Sequence, residues 1–287
     1  MSGDPRKRPV PPSPDRDERL LLASTLLRRA AAAPLGDPIG FAALPALTRY
    51  ALRTQGLGAP APANSVAECL LLAHAYAALG IEAQIRVAEL TVTDNKTGAQ
   101  SVHGIPRPHW EDGRFFGHTI LWLPRYRHLI DPDAERYHEI AAWKAGPVVA
   151  AAGPADPERS DDGQIPITVT RGHLNLSYSV GPREATAEVL ANPVVHTARD
   201  TAWDEGANLA SEVIWLLASE RSDGDTGMIP YPRAAALIDA ARGLDRRGAV
   251  GENVYFARRG ALPGTGPFRI HQIPLPDGTP EAATPVG

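Results

Sequence analysis

Between Asn64 and Gly80 the chain reads NSVAECLLLAHAYAALG, and beyond its cap only Glu68 and His74 are strongly polar. Asn64 or Ser65 is a natural N-cap, because either side chain can accept an orphan amide of the first turn. Gly80 is a natural stop. The helix so defined is apolar on nearly every side, and such a helix has to be enclosed by other elements rather than lie on a surface. The segment that follows, IEAQIRVAELTVTD, alternates as a strand does.

A chain of 287 residues with 43% hydrophobic content is able to build that enclosure, as one large or two small domains. A formal charge of −4 and a pI near 6.1 give no electrostatic case for nucleic acid or an anionic membrane as partner. Lysine occurs only at positions 7, 96 and 144; with abundant Ala, Arg, Gly and Pro, this fits a GC-rich genome better than a binding role. The single cysteine, Cys69, excludes an internal disulfide framework and a multi-cysteine metal site. No apolar core follows the basic start, and the longest apolar runs are too short to span a bilayer, so the expectation is a soluble cytoplasmic protein.

Composition divides the chain. Residues 1–17 and 276–287 are rich in Pro and charge or in Pro and Gly, and are expected to be disordered tails. Residues 18–150 form the expected core, 151–164 a loop or linker, and 165–275 an extension of the core or a second small domain. RDERLLLASTLLRRAAAA has helical periodicity, and GFAALPALTRYALRTQG reads as a helix broken near Pro45. Residues 95–114 read as a loop, FFGHTILWLP and RHLIDPD as two strands joined by a turn, and IPITVTRGHLNLSYSV as a hairpin. TAWDEGANLASEVIWLLASE and PRAAALIDAARGL suggest amphipathic helices, with ENVYFARRG a final strand. The fold class expected is α+β.

The chemistry follows from what this order brings together. A thiol or hydroxyl nucleophile needs a neighbouring base, and the base needs a third group to fix its tautomer. A helix start adds positive potential for a thiolate or a developing oxyanion. The helix offers Ser65 and Cys69; the strand pair offers His118 and, on the next strand, Asp131. Neighbouring antiparallel strands place those last two within hydrogen-bonding reach. Taken singly, each has a plainer reading: Cys69 as a small hydrophobe, His118 as a core histidine beside Phe115 and Phe116, Asp131 as a turn starter before Pro132.

A buried helix beginning at a nucleophile and ending ALGI.A, then a strand, then GHTILWLPRYRHLIDPD, resembles the transglutaminase-like superfamily. The superfamily includes transglutaminase-core peptidases and, more distantly, arylamine N-acetyltransferases. The resemblance spans roughly residues 60–137. It implies a papain-like core with the nucleophile helix on an antiparallel sheet. It implies acyl transfer or amide hydrolysis through an acyl-enzyme, with His118 as base, Asp131 as orienting carboxylate, and an oxyanion hole at the helix start. The substrates implied are a peptide or protein, or a small amide or acyl compound, without cofactor or metal.

In that superfamily the nucleophile stands about four turns of helix before the terminating glycine. Ser65 precedes Gly80 by 15 positions and Cys69 by only 11. Three readings stay open: a shorter helix with Cys69 as nucleophile, Ser65 acting in its place, or a degenerate site that binds a peptide or protein partner. Position at the helix end, where the dipole is felt, favours Ser65, with Cys69 packed behind it. An acetyltransferase ranks low, because GAPAPANS replaces the glycine-rich approach to the nucleophile. His103, His109 and His118 do not define a zinc site, since two of them lie in a Pro-rich loop. Trp110, Trp122 and Tyr126 fit either a cleft or a core, and GALPGTG at 260–266 reads as a turn.

Overall fold

The computed structural model describes Thr25 and residues 36–57, 64–143, 146–153, 165–220, 225–248, 253–259 and 267–284. Most of the helix expected from 16 to 33, the tail 1–17 and the turn 260–266 lie outside these residues.

Helix α1 (Pro38–Thr54) starts at Asp37, whose side chain accepts the Ile39 amide at 3.0 Å. It runs unbroken through Pro45, where a break was expected. An interior proline costs about 3 kcal/mol, but Phe41, Leu44, Pro45 and Ala46 are all buried, and that packing holds the helix together. Helix α2 (Ser65–Ala78) is the apolar one. Asn64 caps it, its side chain accepting the Ala67 amide at 2.9 Å. At the other end Gly80 takes φ +74°, and the Ile81 and Gly80 amides return to the carbonyls of Tyr76 and Ala77.

Eleven strands are described: β1 (Gln84–Asp94), β2 (Gln100–His103), β3 (His109–Glu111), β4 (Arg114–Phe116), β5 (His118–Leu123), β6 (His128–Asp131), β7 (Val148–Ala151), β8 (Ile165–Arg171), β9 (Leu174–Val180), β10 (Leu244–Arg247) and β11 (Tyr255–Arg258). The main sheet is antiparallel in the order β7-β6-β5-β1-β9-β8, with β2 also on β1, and it is nearly closed. The segment expected as a loop at 95–114 instead contains β2 and β3. Val92↔Ser101 and its neighbours extend the sheet, and His109↔Phe116 forms a small hairpin with β4. The remaining helices are α3 (His138–Ala141), α4 (Arg183–Leu190), α5 (Pro193–Glu220) and α6 (Pro232–Arg242). None of the described helices is long and apolar enough to cross a membrane.

Strand alternation sorts side chains into two cores. From β5, Leu121 and Leu123 face α2, α5 and α6, whereas Ile120 and Trp122 face the interior of the curved sheet with Leu90, Leu129, Leu176 and Tyr178. Helix α2 lies between the outer face of the sheet and the length of α5, with α1 at its flank. The β8–β9 hairpin zips onto β1 from Ala88↔Val180 to Asp94↔Leu174, so the chain after 165 completes the same sheet and the same helical layer. In the tail expected to be disordered from 276, the described residues dock. The Ala283 amide donates to the Ala77 carbonyl at 3.0 Å, and Arg233 bridges Ala78 and Pro280. The last-turn carbonyls of α2 supply the acceptors: Ala77 takes the Ala283 amide beside that of Gly80, and Ala78 takes the Arg233 guanidinium.

Gly206 of α5 is where the two long helices touch. A Cβ there would lie 2.6 Å from both the Leu71 carbonyl and the His74 Cβ. Elsewhere in a helix, Gly→Ala gains about 1 kcal/mol in propensity. Gly206→Ala should instead destabilise by about 1–3 kcal/mol through overpacking, read as a lower urea midpoint; a stabilised variant would refute the close approach.

Candidate functional site

Ser65 is the first residue of α2, and its hydroxyl accepts the Thr119 amide at 3.1 Å. That bond ties the start of the helix to the start of β5. Cys69, one turn along, is fully buried beside Thr119. Burial pushes its thiol well above its ordinary value. The Thr119 hydroxyl opposes the shift, and the charges of Asp131, Asp133 and Glu68 add to it. A thiol so placed stays protonated at neutral pH and out of reach of solvent.

His118 and Asp131 come together as neighbours on paired strands. The register Leu121↔Ile130, Trp122↔Leu129 sets Asp131 one diagonal step from His118 on the same face. His118 Nε2 lies 2.9 Å from Asp131 Oδ2, and both side chains are sealed from solvent. Tyr178 on β9 donates to the same oxygen at 2.9 Å, and the Asp133 amide donates to Oδ1 at 3.0 Å. Burial by itself raises the Asp131 pKa, but His118 and these donors outweigh it and hold the carboxyl below its ordinary value.

The other imidazole nitrogen faces Tyr137, whose hydroxyl lies 3.0 Å from Nδ1. Burial, with the Asp131 and Asp133 charges behind it, drives the Tyr137 phenol far above its ordinary value. With the Asp131 carboxylate accepting from Nε2–H, the neutral imidazole leaves Nδ1 as acceptor and the Tyr137 hydroxyl as its donor. His103 of β2 stacks on the Tyr137 ring at 3.7 Å between centroids.

In front of these groups opens a cavity of about 600 Å³, with Ser65, His103, Gly104, Asp133 and Tyr137 in its wall and Phe115 and Phe116 at its rim. Gly104 has φ +85°, and a Cβ on it would meet the Ala88 carbonyl at 2.6 Å and the His118 Cβ at 3.1 Å. Only glycine lets the β2 end pass this close over the imidazole. Behind the helix start, Glu68 is fully buried and paired with Arg49 (3.0 Å) and Arg53 (3.4 Å) from α1.

Of the four residues singled out in the sequence, His118 and Asp131 are in contact and Ser65 reaches the backbone beside them and lines the cavity, whereas Cys69, His118 and Asp131 lie behind the residues of the cavity wall. Tyr137, Tyr178 and Asp133 had no signal in the sequence beyond nearness to the DPD turn for two of them. The three histidines considered for zinc do not converge, since His109 stacks on Phe116 while His103 stacks on Tyr137. Trp122 is core, Trp110 donates to the Val189 carbonyl, and Tyr126 packs on Tyr231. Comparisons of the chain with protein-family models, with curated proteins and with solved structures find no match.

Asp133 is the one carboxyl among the residues of the cavity wall. Burial pushes it up to about 6, Arg136 pulls it back, and Asp131 and Glu68 push it further up. Because the folded value exceeds the ordinary 3.8, the contribution of Asp133 to stability is fully present below pH ~4 and is lost as pH rises through about 6. Replacing it removes that dependence. Asp133→Asn should therefore gain on the wild type by up to ~3 kcal/mol between pH 4 and 7, measured by urea unfolding at several pH values. A constant difference across that range would refute the assignment.

Proposed function

We propose that this protein is a transglutaminase-like acyl-transfer or amide-hydrolysing enzyme in which Ser65 is the nucleophile. The observation that carries the reading is the placement of the Ser65 hydroxyl. It stands at the first position of a buried helix, in the cavity wall, bonded to the residue that follows His118. In the proposed reaction, Oγ bonds to the acyl carbon as its proton passes to His118 Nδ1. The imidazolium, held by Asp131, returns that proton to the leaving amine as the C–N bond breaks. Water or a second amine then takes the acyl group by the reverse route. The oxyanion is met by backbone amides of the first turn, where the ladder leaves donors for other partners and the dipole is positive. Cys69 is a core residue behind Ser65 in this scheme. The substrates that suit the cavity are a peptide or protein, or a small amide.

A second reading has its own observation. Tyr137, not Ser65, lies on Nδ1 of His118, which suits a catalytically degenerate core that holds a peptide or protein partner in the same cavity.

The two readings separate on covalent labelling. A fluorophosphonate at neutral pH should modify Ser65, mapped by mass spectrometry, and His118→Ala should slow this by about a hundredfold or more, the usual size of general-base assistance. Iodoacetamide should leave Cys69 intact until the protein is unfolded. An adduct on native Cys69, or no adduct on Ser65 under any condition, would sink the serine reading.

A further inference from the structure

We infer that Tyr137 is a positioning residue that holds His118 in a resting state, and that its hydroxyl must leave Nδ1 before Ser65 is activated; this rests on Ser65 being the nucleophile. A neutral imidazole with Nε2–H bound to Asp131 has one acceptor, Nδ1. Tyr137 lies 3.0 Å from it. In the serine mechanism the Ser65 hydroxyl calls on that same lone pair, which the Tyr137 hydroxyl faces in this structure.

Tyr137 stands between two short elements. It links the 3₁₀ turn Ala134–Arg136 to the single-turn helix α3 through an extended residue at φ −85°, ψ 125°. Its side chain lies in the cavity wall. What retains the ring on the cavity side is His103, stacked at 3.7 Å and 16°. Its Nε2 lies 3.3 Å from the Ser101 hydroxyl, with Glu139 Oε2 at 3.5 Å. It belongs to β2, whose pairing among the described residues is with β1 alone. A ligand entering the cavity meets His103 and Tyr137 in its wall, and by displacing the stacked pair it frees Nδ1 for Ser65. The latch ties reactivity to occupancy of the cavity, which limits idle hydrolysis of the site's own acyl group.

The test is the kinetics of fluorophosphonate labelling at Ser65 in the wild type, Tyr137→Phe and His103→Ala, resolved into the maximal rate and the half-saturating probe concentration. Tyr137→Phe keeps the ring and loses the competing donor. It should raise the maximal rate about tenfold, the worth of one hydrogen bond, with the half-saturating concentration unchanged. His103→Ala should raise it in the same sense by less, and it decides the matter if Tyr137→Phe does not fold. Imidazole nitrogen NMR should show Nδ1 of His118 losing its hydrogen bond in Tyr137→Phe while the Nε2–H signal persists. Equal or lower maximal rates in both variants, with Ser65 still labelled, would overturn the latch and leave the serine mechanism standing. Labelling in none of the three proteins overturns both.

Discussion

Helix α2 is buried along most of its surface, with only Ala67, His74 and Ala78 partly exposed, and the rest of the molecule is arranged to enclose it. The sheet covers one flank, α5 the opposite one and α1 a third. The elements that do this come from both halves of the sequence, so neither half can bury the helix alone. Glu68 is the one full charge inside this enclosure. A carboxylate removed from water is tolerable only with partners, and breaking such a pair costs about 3–5 kcal/mol. Arg49 and Arg53 meet it from α1. The position of α1 is therefore set twice, by its apolar face and by the need to neutralise Glu68.

The sheet has two dry faces, and the candidate site lies where strand β5 divides them. Thr119 turns toward α2 and, through its amide, fixes the Ser65 hydroxyl. His118, the residue before it, turns to the other face, where curvature brings Tyr178 across from β9 to complete the ring of donors around Asp131. A flat sheet would leave that carboxylate without its phenol and more exposed. With Asp131 fully engaged on one side of the imidazole, only Nδ1 faces a group that can exchange partners.

Much of this was legible in the sequence because it depends on periodicity and order. The all-apolar run forced a buried helix, Asn64 and Gly80 marked its ends, and alternation in IEAQIRVAELTVTD and IPITVTRGHLNLSYSV gave β1 and the β8–β9 hairpin. GH on one strand and D on the next brought His118 to Asp131. What escaped depends on long-range placement. Pro45 looked like a break because local propensity knows nothing of the core around Phe41 and Leu44. Strands β2 and β3 were hidden in a loop-like composition, and they form only because β1 and β4 offer partners. Tyr178 reads as one more alternating strand residue, and Tyr137 as part of a polar turn. Only the closing of the sheet aims Tyr178 at Asp131, and only the 3₁₀ turn after Asp131 aims Tyr137 at the imidazole.

The choice between the two nucleophile candidates is finally electrostatic. Three carboxylates, Asp131, Asp133 and Glu68, surround the inner end of this region and oppose ionisation of the Cys69 thiol, which burial has already disfavoured. A thiolate–imidazolium pair would need the anion to persist among those charges. A serine mechanism has no such requirement, because the hydroxyl stays neutral until attack and the charge that develops on His118 is positive, the sign that Asp131 stabilises. The same carboxylates that penalise a resting thiolate thus favour a transient imidazolium. The negative charge created in the reaction would fall on the substrate oxygen at the helix start, outside the carboxylate cluster and next to the positive end of the dipole. In the proposed mechanism charge placement and helix register both favour Ser65, and Cys69 is a core residue of α2.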